Sequence, residues 1–367
     1  MKADLITLHA VRNYGSVLQA YATQELFRKK GVDITVIDYV REDILPCNIL
    51  KTLEADNIVK KAILLPSVKK QDKTFAHFCN KYLKLTPNKY TFEKDFDSYK
   101  SDADFCITGS DQVWNSTWNK GVIKPLYLSF VKDKPKIAFA ASFGKEKVSD
   151  EEVSETKELI NDYLEISVRE KSAVELLKNQ YGYKKATQIL DPTLCVDKKF
   201  WLNLSKKGKK YRKYVLIYQL NRNPVFDKYA VGLAKKMNCK LIRICRGYHQ
   251  LLLPGKGVLV PSVETFVSLF ANAEFVVTDS FHALSFCTNL NTPFACFYPN
   301  QFSTRLESHL QTFGLLDRKV NDVNDFSIAD KAINWGDVNL KLEAEREKAN
   351  RFVDKCLAEI ERSKNEH

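Results

Sequence analysis

Short apolar segments alternate with amphipathic helical segments along most of this chain, and this alternation constrains the fold more than any other feature. The first forty residues contain an apolar segment at 5–8, helically spaced apolar residues over 17–30, and the apolar run VDITVIDYV at 32–40. Gly31 stands where helices commonly end in the left-handed conformation. A strand, a helix and a second strand in this order predict a βαβ unit, and hence a parallel sheet.

The alternation continues through two blocks of the sequence. Further strands are predicted at 104–108, 137–142, 165–168, 214–220, 240–245, 275–278 and 293–298. Helices are predicted at 151–163, 172–181, 226–237, 263–271, 281–288 and 339–364, with a mostly helical region at 47–100 and a loop at 247–257. We therefore predict an α/β protein with two Rossmann-like domains and a cleft between them. The domains are predicted at 1–200 and 201–338, with helix 339–364 packing back on the first.

Composition narrows the classes of function. The 367 residues carry 57 Lys and Arg against 45 Asp and Glu, a net charge of +12, and no apolar run approaches the roughly 20 residues that span a bilayer. With no signal peptide evident, we expect a cytoplasmic protein. Nine scattered cysteines without a CxxC pair predict reduced, buried thiols, and no metal site is expected. The charge fits either solvated faces or an anionic partner, such as a phosphate-bearing substrate or a membrane surface. No nucleic-acid-binding motif is present, so nucleic acid is not expected.

Ligands of such folds bind beyond the carboxyl ends of the strands, so four strand-to-helix junctions are candidate sites. The first contains Asn13, Gly15 and Ser16. Ser16 followed by Gln19 is a capping-box pattern, Gly15 allows close backbone approach, and a helix N-terminus favours an anion. The alternative is a capped helix that binds nothing.

The second junction follows the strand at 104–108 and contains Ser110, Asp111, Gln112, Trp114 and Asn115, with Trp118 close behind. Exposed indole rings beside amides and a carboxylate would form a platform for a sugar. The alternative is a turn followed by core tryptophans.

The third junction is Arg169, which directly follows the strand at 165–168. Its guanidinium could pair with a carboxylate or phosphate of a ligand, or form a plain ion pair with Glu170 or Glu175.

The fourth junction contains Asp279, Ser280 and His282 after the strand at 275–278. A helix N-terminus lowers the pKa of a histidine, and a bound anion raises it again, so His282 could titrate near neutrality. The alternative is a packed histidine that stabilises the turn. His282 is our first choice among the six histidines, and His9 the second.

These junctions together resemble the polysaccharide pyruvyl transferase family. The matching stretches are NYGSVLQAYA (13–22), ITGSDQVWN (107–115), AASFG (140–144), SVREKSAVELL (167–177), LDPTLCVD (190–197) and the block from Pro261 to Pro293 that contains NAEFVVTDSFHALSF. They keep the order of the family over about 280 residues. The resemblance implies a GT-B-like pair of Rossmann-like domains, phosphoenolpyruvate as donor, and a sugar of a cell-surface polysaccharide or its lipid-linked precursor as acceptor.

The resemblance also implies roles for individual residues. The histidine typical of the family falls on His282, and a donor-binding arginine falls on Arg169. From the chemistry of ketal formation we expect His282 to be the acid, and Asp111 or Asp279 to orient the acceptor or act as base. Many family members carry Arg two residues before this histidine, where this chain has Ser280. We expect Arg305 to supply the missing charge, with Arg243 or Arg246 as alternatives.

Phosphoenolpyruvate would act as co-substrate, with no cofactor and no metal. We expect the acceptor to be lipid-linked and the protein to contact the inner face of the membrane. The main alternative is a GT-B glycosyltransferase that uses a nucleotide sugar. A non-catalytic polysaccharide- or membrane-associated binding protein is the third possibility.

Overall fold

The computed structural model describes residues 1–45, 48, 58–209, 211–299 and 303–365, which divide into two compact units. The first unit comprises Met1–Asn48, Ala76–Cys195 and Glu345–His367. The second comprises Ile49–Phe75 and Val196–Ala344. The chain therefore passes between units near residue 195, at the end of the LDPTLCVD segment.

The first unit contains a seven-stranded parallel sheet in the order β3-β2-β1-β4-β5-β6-β7. Its strands are β1 (Lys2–Ile6), β2 (Asp33–Tyr39), β3 (Leu85–Tyr90), β4 (Phe105–Thr108), β5 (Lys136–Ala141), β6 (Glu165–Val168) and β7 (Thr187–Gln188). The helices in the first 195 residues are α1 (Tyr14–Lys29), α2 (Ile58–Tyr82), α3 (Ser116–Asn119), α4 (Asp150–Asn161), α5 (Lys171–Leu176) and α6 (Pro192–Cys195).

The second unit contains a five-stranded parallel sheet in the order β10-β9-β8-β11-β12. Its strands are β8 (Tyr214–Tyr218), β9 (Lys240–Cys245), β10 (Lys256–Leu259), β11 (Phe275–Thr278) and β12 (Phe294–Cys296). The remaining helices are α7 (Lys198–Ser205), α8 (Pro224–Lys236), α9 (Val263–Ala271), α10 (Phe281–Leu290), α11 (Ser303–Phe313) and α12 (Trp335–Asn365). In both sheets the order reverses beside the first strand, which is the Rossmann-like pattern, so the predicted fold class is confirmed.

Aromatic and β-branched side chains fill the core of each unit. In the first, the Trp114 ring stacks on Tyr127 and packs against Phe143 and Tyr163. A Cβ at Gly109 would lie 2.8 Å from Leu5 Cδ1, so only glycine allows the chain to turn this close to β1.

The sheet of the second unit is covered on both faces, as buried parallel sheets require. One face packs Phe226 and Tyr229 of α8 against Phe297. The other packs Tyr218 against Phe266, which also contacts Phe286 of α10.

The structure differs from the sequence predictions in several secondary-structure elements and in one domain boundary. Strand β3 and helix α11 were not predicted, and β10 begins inside the predicted loop at 247–257. Residues 49–75, assigned from sequence to the first domain, belong to the second unit. The reason is contact with the segment after β9, where Ser67 Oγ accepts a hydrogen bond from the backbone N–H of Tyr248.

None of the helices in the described ranges is long and apolar enough to cross a bilayer. The eight cysteines within these ranges are all free thiols, and seven of them are buried. Cys47 lies outside the described residues.

The last turns of α12 are fastened to the first unit by ion pairs. Lys355 Nζ lies 2.6 Å from Oε1 of Glu165, whose carboxylate is buried in β6. Lys364 pairs with Asp104, and Asp354 accepts from Lys30. Lys355 on this helix therefore neutralises the Glu165 carboxylate, which is buried in the sheet.

We predict that Lys355→Met lowers the free energy of unfolding by about 2–3 kcal/mol, because the buried Glu165 carboxylate loses its counter-charge. Urea denaturation measures this loss. The matched control is Arg351→Met on the same helix, which breaks an exposed pair with Glu347 and should change stability by less than about 0.5 kcal/mol. Equal losses in both variants would contradict the assignment.

Candidate functional site

The predicted site residues fall into two groups, one at the carboxyl edge of each sheet. In the first unit, Ile6 at the end of β1 is paired with Thr108 at the end of β4, and Ala141 of β5 with Val168 of β6. Because these strands are parallel and end together, the polar residues that follow them converge at one edge.

Arg169 is the centre of the first group. Its buried guanidinium donates from Nη1 to Asp191 Oδ2 at 2.6 Å, and lies 3.8 Å from Asp111 Oδ1 and 3.9 Å from Glu170 Oε1. Burial acts to lower the pKa of the guanidinium, but the three carboxylates outweigh it and the pKa is raised. One cation among three carboxylates leaves the group net negative, which does not favour an anionic donor there.

Asp191 was not predicted as a site residue, although it occupies the same kind of junction as the others. Its Oδ1 accepts from the backbone N–H and the hydroxyl of Thr193, and its Oδ2 accepts from Ser110 Oγ as well as Arg169. A fully buried carboxylate with four donors is a structural anchor. The signal that could have found it is an Asp placed directly after an apolar run and before a helix.

Asp111 has its backbone in the left-handed region, with φ of 78°. Its carboxylate accepts hydrogen bonds from Ser16 Oγ and from the backbone N–H of Gln112. A non-glycine residue in this region is uncommon and is held there by its surroundings. The side chains of Asp111 and Glu170 are 13% and 15% exposed, whereas that of Asp191 is fully buried, so a ligand can reach the first two carboxylates but not the third.

The predicted capping box at Ser16 is wrong. Helix α1 begins at Tyr14, and its N-cap is Asn13, whose Oδ1 accepts from the backbone N–H of Gly15 at 2.8 Å. Ser16 instead donates to Asp111, and Gln19 donates to Thr7 Oγ1. Asn13 precedes Ser16 along the chain, and its side chain accepts the hydrogen bond from the backbone N–H group at the start of the helix.

Most of the predicted acceptor platform is buried. Trp114 is 1% exposed, and its Nε1 donates to the carbonyl of Leu126. Asn115 caps α3 and donates to Gln112 Oε1, while Ser110 is fully buried beside Asp191. The expected indole platform is therefore wrong for Trp114, because the turn after β4 directs its side chain into the core, whereas Trp118 is 60% exposed.

In the second unit, Thr278 at the end of β11 is paired with Tyr218 at the end of β8. The next residue, Asp279, accepts from the backbone N–H groups of Leu220 and Asn221 and from Asn221 Nδ2. Burial raises the pKa of Asp279, and these hydrogen bonds oppose the rise. Both carboxylate oxygens hold the loop after β8, so the predicted role of Asp279 as base or acceptor contact does not fit its surroundings.

Helix α10 starts directly after Asp279. Ser280 is its N-cap and accepts from the backbone N–H of Ala283 at 3.4 Å, and His282 is buried in the first turn. The Phe281 ring lies 5.5 Å from the His282 ring and 6.0 Å from the Arg305 guanidinium carbon. The structure thus places Arg305 beside the start of the His282 helix, on the neighbouring helix α11.

The other cations of the second group differ in availability. Arg243 is buried and paired with Asp227, so its charge is neutralised within the protein. Arg246 lies close enough to Tyr218 to oppose the rise in its pKa, which burial brings to about 12. Lys319, which the sequence did not suggest, lies 4.4 Å from the centre of the Tyr298 ring beyond β12.

His9, the second choice from sequence, is a packed side chain. Its ring is 1% exposed, with Nε2 3.3 Å from Asp38 Oδ1 and Nδ1 3.4 Å from the carbonyl of Thr7. Within the part of the chain that the structure describes, no group of His, Cys, Asp and Glu side chains is arranged to hold a metal ion.

We predict that Arg169→Met lowers the free energy of unfolding by about 3–5 kcal/mol, because it leaves three carboxylates together without their cation. The unpaired carboxylates of the folded variant would have raised pKa values, so protonation should relieve part of the loss as pH falls from about 7 to about 5. Denaturant unfolding at both pH values measures this.

The matched control is Arg222→Ala in the second unit. Arg222 pairs with Asp227, which keeps its buried partner Arg243, so the loss should stay below about 1 kcal/mol at either pH. An Arg169→Met protein as stable as the control would show that Arg169 does not hold the carboxylates.

Several solved structures are similar to this chain at low sequence identity. UGT89C1 of Arabidopsis thaliana, solved with UDP-L-rhamnose, is 10% identical over 98% of each chain, with a TM-score of 0.49. The UDP-GlcNAc 2-epimerase of Methanocaldococcus jannaschii is 12% identical over 93% of each chain, with a TM-score of 0.47. The heptosyltransferase WaaC of E. coli, solved with ADP, is 12% identical over 86% of this chain and 98% of its own, with a TM-score of 0.41.

No curated protein matches the sequence significantly. The family model for polysaccharide pyruvyl transferases matches residues 13–301, well over half of the chain, and this range contains every residue of both groups described above except Arg305 and Lys319. The chain belongs to the polysaccharide pyruvyl transferase family.

Proposed function

We propose that the protein transfers the pyruvyl group of phosphoenolpyruvate onto two hydroxyls of a saccharide, forming a pyruvate ketal and releasing phosphate. The acceptor would belong to a cell-surface polysaccharide or its lipid-linked precursor. Atoms and charge balance without a redox cofactor: of the two hydroxyl protons, one replaces the proton added to the enol carbon, and the other leaves with phosphate. Family membership supports this reaction class.

The observation that carries the proposal is the group of residues at the start of α10. The N-terminus of this ten-residue helix carries partial positive charge, and the Arg305 guanidinium lies beside it over the Phe281 ring. Phosphoenolpyruvate has a carboxylate and a phosphate, so it needs two such cationic positions. We assign donor binding to this end of α10 and to Arg305.

His282 is the proposed general acid. It stands in the first turn of α10, so a donor bound at the helix start would lie within its reach. Protonation of the methylene carbon makes the adjacent carbon electrophilic, and the first hydroxyl can then attack it. The C–O bond to phosphate then breaks, and the second hydroxyl bonds to the carbon in its place to close the ketal.

Asp111 is the proposed group that accepts hydroxyl protons or orients the acceptor. Its side chain is 13% exposed, and carboxylates are suited to accepting hydrogen bonds from sugar hydroxyls. Gln112, which is partly exposed, would contribute an amide. In this proposal Arg169 binds no donor but acts as a positioning residue, because it holds Asp111, Asp191 and Glu170 in a fixed arrangement.

A donor comparison tests the proposed reaction. The protein is incubated with a crude lipid-linked saccharide fraction and either phosphoenolpyruvate or a nucleotide sugar. We expect release of inorganic phosphate with phosphoenolpyruvate and no release of nucleotide. Nucleotide release would instead support the glycosyltransferase alternative, and neither release would support a binding protein.

We predict that His282→Ala reduces kcat by about 10²–10⁴, the usual loss when a general acid is removed. Circular dichroism verifies that the variant is folded. His77→Ala is the matched control, because His77 is exposed on α2 and has no proposed role. A folded His282→Ala protein with wild-type kcat would remove His282 from the mechanism.

We predict that Arg305→Ala raises the apparent Kd for phosphoenolpyruvate at least tenfold, about 1.4 kcal/mol, measured by calorimetric titration. Adding Ser280→Arg to this variant should restore part of the affinity, because it places a cation at the same helix terminus. Unchanged affinity in Arg305→Ala would move the donor-binding charge to Arg246 or Lys319.

A further inference from the structure

An apolar surface stands exposed on the second unit, just beyond the carboxyl end of β9. The short helical turn Tyr248–Leu252 carries it. Leu252 is 92% exposed, and Tyr248 and Leu251 are each more than 40% exposed. Soluble surfaces rarely place three neighbouring large apolar side chains in water without a partner.

This turn is held in place by the part of α2 that belongs to the same unit. Ser67 Oγ accepts from the backbone N–H of Tyr248 at 3.0 Å, and Gln71 Nε2 donates to the carbonyl of Arg246 at 2.6 Å. Ile63, one helical turn before Ser67, shares this face of α2 and is 57% exposed. We call Ile63, Tyr248, Leu251 and Leu252 the apolar patch.

The charge around the apolar patch is predominantly positive. Between Asp227 and Glu264 the sequence has seven lysines and arginines and no acidic residue. Of these, Lys256 follows the patch and is exposed. On α2, Lys69, Lys70 and Lys73 are exposed, and Asp72 is the single acidic residue of 62–75. A cationic rim of this kind would repel the same surface of a second copy of the chain.

The apolar patch also stands at the functional edge of its sheet. Strand β9 pairs in parallel with β8, and β8 with β11, so the turn after β9 emerges at the same edge as Asp279 and the start of α10. Whatever binds the apolar patch is therefore presented to the edge of the sheet that carries His282.

We propose that the apolar patch and its lysines dock onto an anionic lipid bilayer. Leu251, Leu252 and the ring of Tyr248 would enter the interfacial layer, while the lysines on α2 pair with anionic headgroups. An acceptor carried by a membrane lipid would then be held near the α10 end of the sheet. Only this last clause depends on the proposed function; the docking itself does not.

Vesicle sedimentation tests the docking with the full chain and no substrate. We expect binding to vesicles of phosphatidylcholine with about one third phosphatidylglycerol, and little binding to phosphatidylcholine alone. The double variant Leu251→Asp/Leu252→Asp and the double variant Lys69→Glu/Lys70→Glu should each reduce the partition coefficient at least about tenfold.

Two matched controls make the same changes elsewhere. Leu340→Asp alters a leucine that is 74% exposed on α12, and Lys184→Glu/Lys185→Glu reverses two exposed lysines before β7 of the first unit. Both should bind vesicles as the wild type does. Wild-type protein that ignores anionic vesicles, or patch variants that bind like the controls, would overturn the proposal. The proposal would also be overturned if light scattering showed that the wild type is a dimer and that Leu251→Asp/Leu252→Asp dissociates it, since the patch would then be covered by a second copy.

Phosphate release from phosphoenolpyruvate, measured with a detergent-dispersed acceptor, separates this proposal from the proposed function. In the patch variants, lost vesicle binding with normal turnover is the result that both proposals predict. In the wild type, turnover without any vesicle binding overturns the docking alone, and vesicle binding without turnover overturns the reaction alone.

Discussion

Parallel pairing of the strands is the constraint on which the rest of the structure depends. In each sheet all strands point the same way, so every strand-to-helix turn of chemical interest emerges at one edge. In the first unit this brings three carboxylates together around Arg169. Two of them, Asp111 and Asp191, are 80 residues apart in sequence. The arrangement is held because a buried guanidinium and buried carboxylates each make the other tolerable.

The two edges have opposite electrostatic character. The first presents one arginine among three carboxylates, which suits a neutral, hydroxyl-bearing ligand and a proton acceptor. The second presents a helix N-terminus, a histidine and Arg305, while the Asp279 carboxylate is occupied by the loop after β8. Under the proposed function, the charges of the second edge suit the anionic donor, and those of the first edge suit a neutral sugar.

Sequence patterns predicted the regular elements well because burial fixes them. The strands at 165–168, 240–245 and 275–278 match the structure residue for residue, since a parallel strand buried on both faces is an apolar run with polar ends. The polar junctions were also located correctly. Strand β3 was missed because its sequence, LTPNKY, contains a proline and polar residues that are tolerated only at the edge of the sheet, where it lies.

The direction in which side chains point could not be predicted. The polar neighbours of Trp114 in the sequence predict an exposed ring, yet the turn after β4 directs this ring into the core. Asp279 and Arg169 were both placed at the correct edge, but their hydrogen-bond partners lie 58 and 22 residues away in sequence. Only the three-dimensional pairing shows that one holds a loop and the other holds carboxylates.

The most direct test of the central claim is analysis of the acceptor after reaction. The protein is incubated with phosphoenolpyruvate and a purified saccharide acceptor, and mass spectrometry of the acceptor is combined with measurement of released phosphate. The account predicts an acceptor that gains the mass of one pyruvate less one water, with one phosphate released for each product formed. An acceptor that gains a sugar residue, or a pyruvate added without release of phosphate, would contradict it.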